Sequence, residues 1–144
     1  MAMGYQITFD CAEPGKLAAF WAGVLHYRPA DPPAGFTSWE EWLERMDVPP
    51  EEWDDGAAIS DPEGKSPQLC FLKVPEGKIT KNRIHFDLDV SSSQAAPVEL
   101  RKQEVEAEVE RMVALGGRVV DRYEEPNHYH ALLRDPEGNE FCVR

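Results

Sequence analysis

The tetrapeptide Asp-Pro-Glu-Gly occurs twice, at Asp61-Pro62-Glu63-Gly64 and at Asp135-Pro136-Glu137-Gly138, at the same place in two matching strings of elements. An internal repeat of this kind constrains the fold before any finer argument begins. In the first half, Ile7, Phe9 and Cys11 alternate with Gln6, Thr8 and Asp10, which predicts a strand over residues 5–11. Glu13-Pro14 opens a helix, with Leu17, Phe20, Trp21, Val24 and Leu25 as one buried stripe. That helix ends near His26 and Tyr27, before Pro29, and His26 reads as structural. Strands at 56–60 and 67–74 lie on either side of the first turn.

The second half repeats the order. Ile84, Phe86, Leu88 and Val90 alternate with Arg83, His85, Asp87 and Asp89, the clearest strand pattern of the chain. A charged helix follows at 99–115, with Val105, Val109, Met112, Val113 and Leu115 inward, stopped by Gly116-Gly117. Strands are expected at 118–122, 129–134 and 140–143. The predicted fold class is therefore α+β. Two βαβββ modules form a curved mixed sheet around a cleft, with the helices on the outer face. The expectation is a single domain over 1–144, with modules at about 5–75 and 82–144.

The first half alone carries an insertion, at about 31–54. Ser38 caps a short helix there, with Glu41 at capping-box spacing. Trp39, Trp42 and Trp53 crowd this stretch and read equally as a lid over the cleft, a cap on the core or a dimer contact. The outward strand faces carry Gln6, Thr8, Asp10, Arg83, His85, Asp87 and Asp89, which is too polar for a closed core. On one strand this pattern would indicate a sheet half-exposed to water. Its recurrence in both halves favours a polar cleft, lined by Thr8, Asp10, Asp87 and Asp89.

With 144 residues the chain has enough length to bury a real core. Its 27 acidic against 15 basic side chains give a net charge of -12, a field that repels phosphate backbones and anionic lipid. Neither nucleic acid nor membrane is an expected partner, and no apolar run approaches the length of a membrane span. The three cysteines are widely spaced and no signal peptide precedes them, which argues against a disulfide framework and fits a reducing cytoplasm.

Three segments, ITFDCAEPGKLAAFW (7–21), KNRIHFDLD (81–89) and DPEGNEFCV (135–143), resemble the glyoxalase-like branch of the vicinal-oxygen-chelate superfamily. That superfamily includes glyoxalase I, extradiol dioxygenases, fosfomycin-resistance enzymes and bleomycin-binding proteins. The resemblance spans the chain outside the insertion. It implies a small-molecule ligand, a homodimer, and metal ligands at the start of the first strand and near the end of the last strand of each half. Those positions here are Gln6, Cys70, His85 and Cys142. Gln6 and His85 suit the pattern. Cys70 and Cys142 stand where the usual residue is Glu, so an oxygen-rich site for Ni, Mn, Mg or Fe(II) loses its carboxylates.

Each candidate has a competing structural role. His85 can ligate a metal or act as a general base, or be a hydrogen-bonded sheet histidine. Cys70 and Cys142, with one imidazole, would suit Zn, but free cysteines more often pack as small hydrophobes. Glu140 shares the face of Cys142 and reads as a replacement ligand, a general base or a solvated charge. Asp87 and Asp89 are read as pairing with Arg83 or other neighbours. His128 and His130 flank Tyr129 and are read as a loop edge in preference to a metal pair. Two functions lead: a lyase, isomerase or dioxygenase assisted by one divalent metal (Zn, Ni, Mn or Fe), or a binder of small molecules or drugs that uses none. A third is a catalytically silent domain that works through a dimer or partner contact. The cysteines favour the second and third, the polar strand faces the first and second.

Overall fold

The two Asp-Pro-Glu-Gly segments fold alike. The Asp61 carboxylate accepts the Glu63 N–H at 2.9 Å and the Lys65 and Ser66 N–H groups at 3.0 Å. The Asp135 carboxylate accepts the Glu137 and Asn139 N–H groups and the Asn139 side-chain amide, each at 2.9 Å. Proline presets the second position of each turn, and an aspartate leading a turn satisfies the backbone two residues on. Gly64 (φ 66°) and Gly138 (φ 87°) take the left-handed conformation that closes each turn. Each turn leads the chain toward the last strand of its half.

The computed structural model describes residues 1–144 and divides them into two compact units, 1–77 and 78–144. The first contains β1 (Ile7–Cys11), α1 (Pro14–Leu25), β2 (Arg28–Pro29), α2 (Trp39–Arg45), a 3-10 turn (Pro50–Asp55), β3 (Gly56–Ser60) and β4 (Leu69–Lys73). The second contains β5 (Asp87–Leu88), α3 (Val98–Ala114), β6 (Arg118–Glu125), β7 (His128–Arg134) and β8 (Glu140–Val143). The sheets run β1-β4-β3-β2 and β5-β8-β7-β6. In each, the first and last strands pair parallel and the remaining pairs are antiparallel. The repeat thus extends to strand order and direction, and the fold is α+β.

One helix covers one face of each sheet. In the first unit Leu17, Phe20, Trp21 and Val24 of α1 are buried together with Ile59, Leu69 and Phe71. Phe9 stacks on Phe71 at 5.3 Å and lies 5.5 Å from the Trp21 ring. Full burial of a ring such as that of Phe71 contributes about 1.5–3 kcal/mol over its exposed state, and the half-buried Phe9 less. In the second unit Val105, Val109 and Met112 of α3 are buried, as are Tyr129, Ala131, Leu133, Phe141 and Val143 of the strands. The opposite faces keep their polar side chains.

Several elements depart from expectation. Val113 and Leu115 are 44% and 41% exposed, because α3 buries only the narrow stripe that meets the sheet. The segment 83–90 narrows to the two residues of β5, although hydrogen bonds to β8 run from the Phe86 carbonyl to the Val90 N–H. Its sole ladder partner begins at Glu140, so the chain ahead of Phe86 has no strand to pair with, and Ile84 is 84% exposed. Strand β6 runs three residues further than expected, to Glu125, with an irregularity between Val119 and Asp121. Ser38 caps α2 by accepting the Glu41 N–H at 3.1 Å, while Glu41 reaches back to the Thr37 N–H instead of closing on Ser38. Trp39 donates to the Ala30 carbonyl and Trp53 to the Val48 carbonyl, which ties both indoles to nearby backbone. His26 ends α1 at φ 58°, a structural cap.

Candidate functional site

Strand register converts the repeat into residue equivalences. Thr8 lies opposite Cys70 in the first sheet, and Asp87 lies opposite Cys142 in the second. Two residues earlier on the same faces stand Gln6 and His85. The equivalent trios are therefore Gln6, Thr8, Cys70 and His85, Asp87, Cys142. In the first trio Gln6 and Thr8 are exposed, and the half-buried Cys70 sulfur receives the Gln68 amide at 3.5 Å. Asp10 is also exposed on that face.

The second trio converges. His85 Nδ1 lies 3.2 Å from the Asp87 carboxylate, and one ligand atom from each of His85, Asp87 and Cys142 lies within 4.8 Å of the others. Burial raises the Cys142 thiol above its ordinary value, and the adjoining Asp87 charge raises it further. These residues wall a pocket of about 350 Å³ that Tyr123, His128 and His130 also line. Lys81 and Arg144 stand at the same pocket and favour the thiolate, without reversing the shift.

Strand β7 starts at His128, directly after the Pro126-Asn127 turn, so His128 stands at the loop edge and His130 lies within the strand. Period-two alternation puts both on the face opposite the buried Tyr129. Their rings meet at 2.9 Å, His128 Nε2 to His130 Nδ1. Tyr123, paired with His130 across the hairpin, stacks on it with centroids 4.7 Å apart and planes 16° apart. Burial, and then the neighbouring His128, lower the His130 pKa.

Glu140 lies on the face of Cys142 but keeps other company. It is buried, accepts the Asn82 N–H at 3.0 Å, and pairs with Lys78 at 3.1 Å and, more distantly, Arg134 at 3.7 Å. Burial pushes its carboxyl up, but the Asn82 N–H and Lys78 outweigh that and hold it below the usual value. Asp89 pairs with Arg144 at 2.9 Å, in line with the pairing expected for it. The structure thus brings His85, Asp87 and Cys142 together and places Glu140 in a separate ion-pair network. Tyr123, Lys81 and Arg144 were not legible as site residues. No local signal marks them, since Tyr123 reaches the pocket only through its hairpin pairing with His130.

Residues 6–144 match the glyoxalase-like domain family. The chain belongs to that family. Among the solved structures that share its fold are three glyoxalase-related proteins. One is a glyoxalase/bleomycin resistance protein/dioxygenase family enzyme from Burkholderia phytofirmans, with TM-score 0.61 and 15% identity over 96% of this chain and 94% of that one. A second is a mutant of the fosfomycin resistance protein FosX from Listeria monocytogenes, complexed with Mn(II) and a dihydroxypropylphosphonic acid, with TM-score 0.62 and 14% identity over 100% and 90%. The third is a glyoxalase-related enzyme from Fulvimarina pelagi, with TM-score 0.61 and 13% identity over 99% and 87%. No curated protein sequence matches the chain. No helix of this glyoxalase-like chain is long and apolar enough to cross a membrane.

Proposed function

We propose that the chain is a metal-assisted enzyme acting on a small molecule, with its working site in the second unit. The observation that carries this reading is the convergence of His85, Asp87 and Cys142, with ligand atoms within 4.8 Å of one another, on the wall of a pocket. The donor set tests the metal that the family implies. One imidazole, one carboxylate and one sulfur fit a borderline cation such as Zn²⁺, and fit Mg²⁺ or Mn²⁺ poorly. His85, Asp87 and Cys142 would hold it. A bound Zn²⁺ would supply Lewis-acid polarisation of a substrate oxygen. The remaining work falls to the chain. Asp87 orients the His85 ring through its 3.2 Å contact. Lys81 and Arg144 bring positive charge to the pocket, suited to an oxygen that gains negative charge.

In this reading Glu140 anchors the 78–82 segment through Lys78 and Asn82 and is not the general base. Gln6 and Cys70 belong to the first unit and are not needed for the trio. A homodimer remains part of the proposal, tested by light scattering on the purified chain.

A specific observation favours a second reading, a binder without metal. The stacked Tyr123 and His130 rings give the pocket a flat aromatic wall, the kind of surface that holds a planar ligand. One experiment separates the two. The untagged protein is dialysed against Zn, Ni, Mn and Fe(II), and metal is counted by elemental mass spectrometry. The enzyme reading expects Zn to be retained, with one equivalent per chain lost in H85A and in C142S. No retained metal under any condition overturns it in favour of the binder.

A further inference from the structure

We infer that His128 and His130 form a separate transition-metal chelate, independent of His85, Asp87 and Cys142. The pair lies outside the first and last strands of its half. Three observations carry the assignment. The first is direction. In a strand, residues i and i+2 face the same side, and the hairpin register fixes that side as the pocket side. The second is distance. His128 Nε2 and His130 Nδ1 are 2.9 Å apart. Two imidazole nitrogens bound to one zinc at about 2.0–2.1 Å each, with an angle of about 90–110° between them, stand roughly 2.9–3.4 Å apart. The separation therefore already suits one cation, and closing on it requires the bridging proton to leave and each ring to turn until its nitrogen faces the ion. The third is support. Tyr123 stacks on His130 at 4.7 Å and supports it, and the His128 ring lies beside it with centroids 4.9 Å apart, so both imidazoles stand together before any ion arrives.

The chemistry selects the ion. Imidazole nitrogens suit Zn, Ni and Cu and discriminate against Mg and Ca. The adjacent pocket leaves room for water or a substrate oxygen to complete the coordination. A pair of histidines alone binds more weakly than a set with thiolate, so the two centres load in sequence as Zn²⁺ is added.

The test is a calorimetric titration of the reduced full-length chain with Zn²⁺, run alongside H128Q, H130N, H85A and C142S. The expected result is two binding steps in the wild type. H128Q and H130N each remove the weaker step alone, and H85A and C142S remove the tighter step alone. If H128Q and H130N leave the titration unchanged, the proposal is overturned. If members of either set abolish all binding together, one shared centre exists and the proposal is again overturned. A wild type with one step that survives H85A and C142S but not H128Q supports this proposal and sinks the trio. No binding in the wild type sinks both. Cobalt(II) adds a readout that misfolding does not mimic: Co²⁺ held by the histidine pair in C142S keeps its ligand-field bands and lacks sulfur-to-cobalt charge transfer. Absence of those bands in C142S, with Co²⁺ bound by the wild type, counts against the pair.

Discussion

Asp87 stands directly across the parallel ladder from Cys142, as Thr8 stands across from Cys70. One structural position therefore carries two chemistries. In the first unit a hydroxyl neighbours the thiol. In the second a carboxylate does, and its charge opposes thiolate formation in a thiol already raised by burial. Left alone, Cys142 stays protonated at neutral pH. A cation arriving at the trio reverses that logic, since a coordinating thiol gives up its proton.

The first prediction follows from Asp87. Asp87→Asn removes the charge and keeps the shape, so the Cys142 thiol titrates at lower pH. Alkylation by iodoacetamide, followed against pH in EDTA with Cys11 and Cys70 replaced by alanine, reads this directly. The rate profile of Asp87→Asn shifts to lower pH than that of the parent. Superimposed profiles would mean that Asp87 does not govern the thiol.

Zinc protects the same sulfur. Adding Zn²⁺ slows alkylation of Cys142 in the wild type and not in His85→Ala. Binding to the folded state also stabilises it, by about 2.7 kcal/mol when free zinc is a hundredfold above its dissociation constant. The melting temperature therefore rises with zinc and returns with EDTA. A melting curve indifferent to zinc, with alkylation unchanged, contradicts the metal-assisted reading.

Much of the fold was legible because its signals are local. The paired Asp-Pro-Glu-Gly turns depend on an aspartate, a proline and a glycine at fixed offsets, and all three act within their own turn. The stripe of α1 was equally plain. The 83–90 segment was misjudged in length because alternation reports which faces differ, and not how long a partner strand is; β8 supplies only four residues. The site was legible in part for the same reason. Parity placed His85 and Asp87 together. Which residue lies opposite them depends on register, and the role of His128 and His130 depends on a hairpin whose strand begins one residue earlier than expected.

The shared turns give an internal comparison. Asp135 is fully buried, whereas Asp61 is only partly so and its bonds are solvent-exposed. Asp135→Ala strands two half-buried backbone N–H groups, Glu137 and Asn139, and costs about 1–3 kcal/mol in urea unfolding. Asp61→Ala exposes its N–H groups to water and costs about 0.5–1 kcal/mol, as for a lost exposed cap. Equal losses at the two positions would mean that burial does not set the value of this turn.

Glu140 gives a prediction about acid stability. Its folded pKa lies below its unfolded value, because the Asn82 N–H and Lys78 outweigh the burial that pushes it up. A depressed carboxyl contributes stability that is fully present above the unfolded pKa and is lost as pH falls through the folded one. The loss therefore begins below the ordinary glutamate value of 4.5 and continues downward. Glu140→Gln removes the charge opposite Lys78, whose side chain is 21% exposed and recovers some hydration. The expected cost at pH 7 is about 3 kcal/mol, near the low end for breaking a buried pair. Stability measured by urea unfolding between pH 3 and 7 falls less steeply in the variant, so the two proteins converge as the pH drops. If the gap between them stays constant across that range, the Glu140 charge is not what fastens the 78–82 segment to β8.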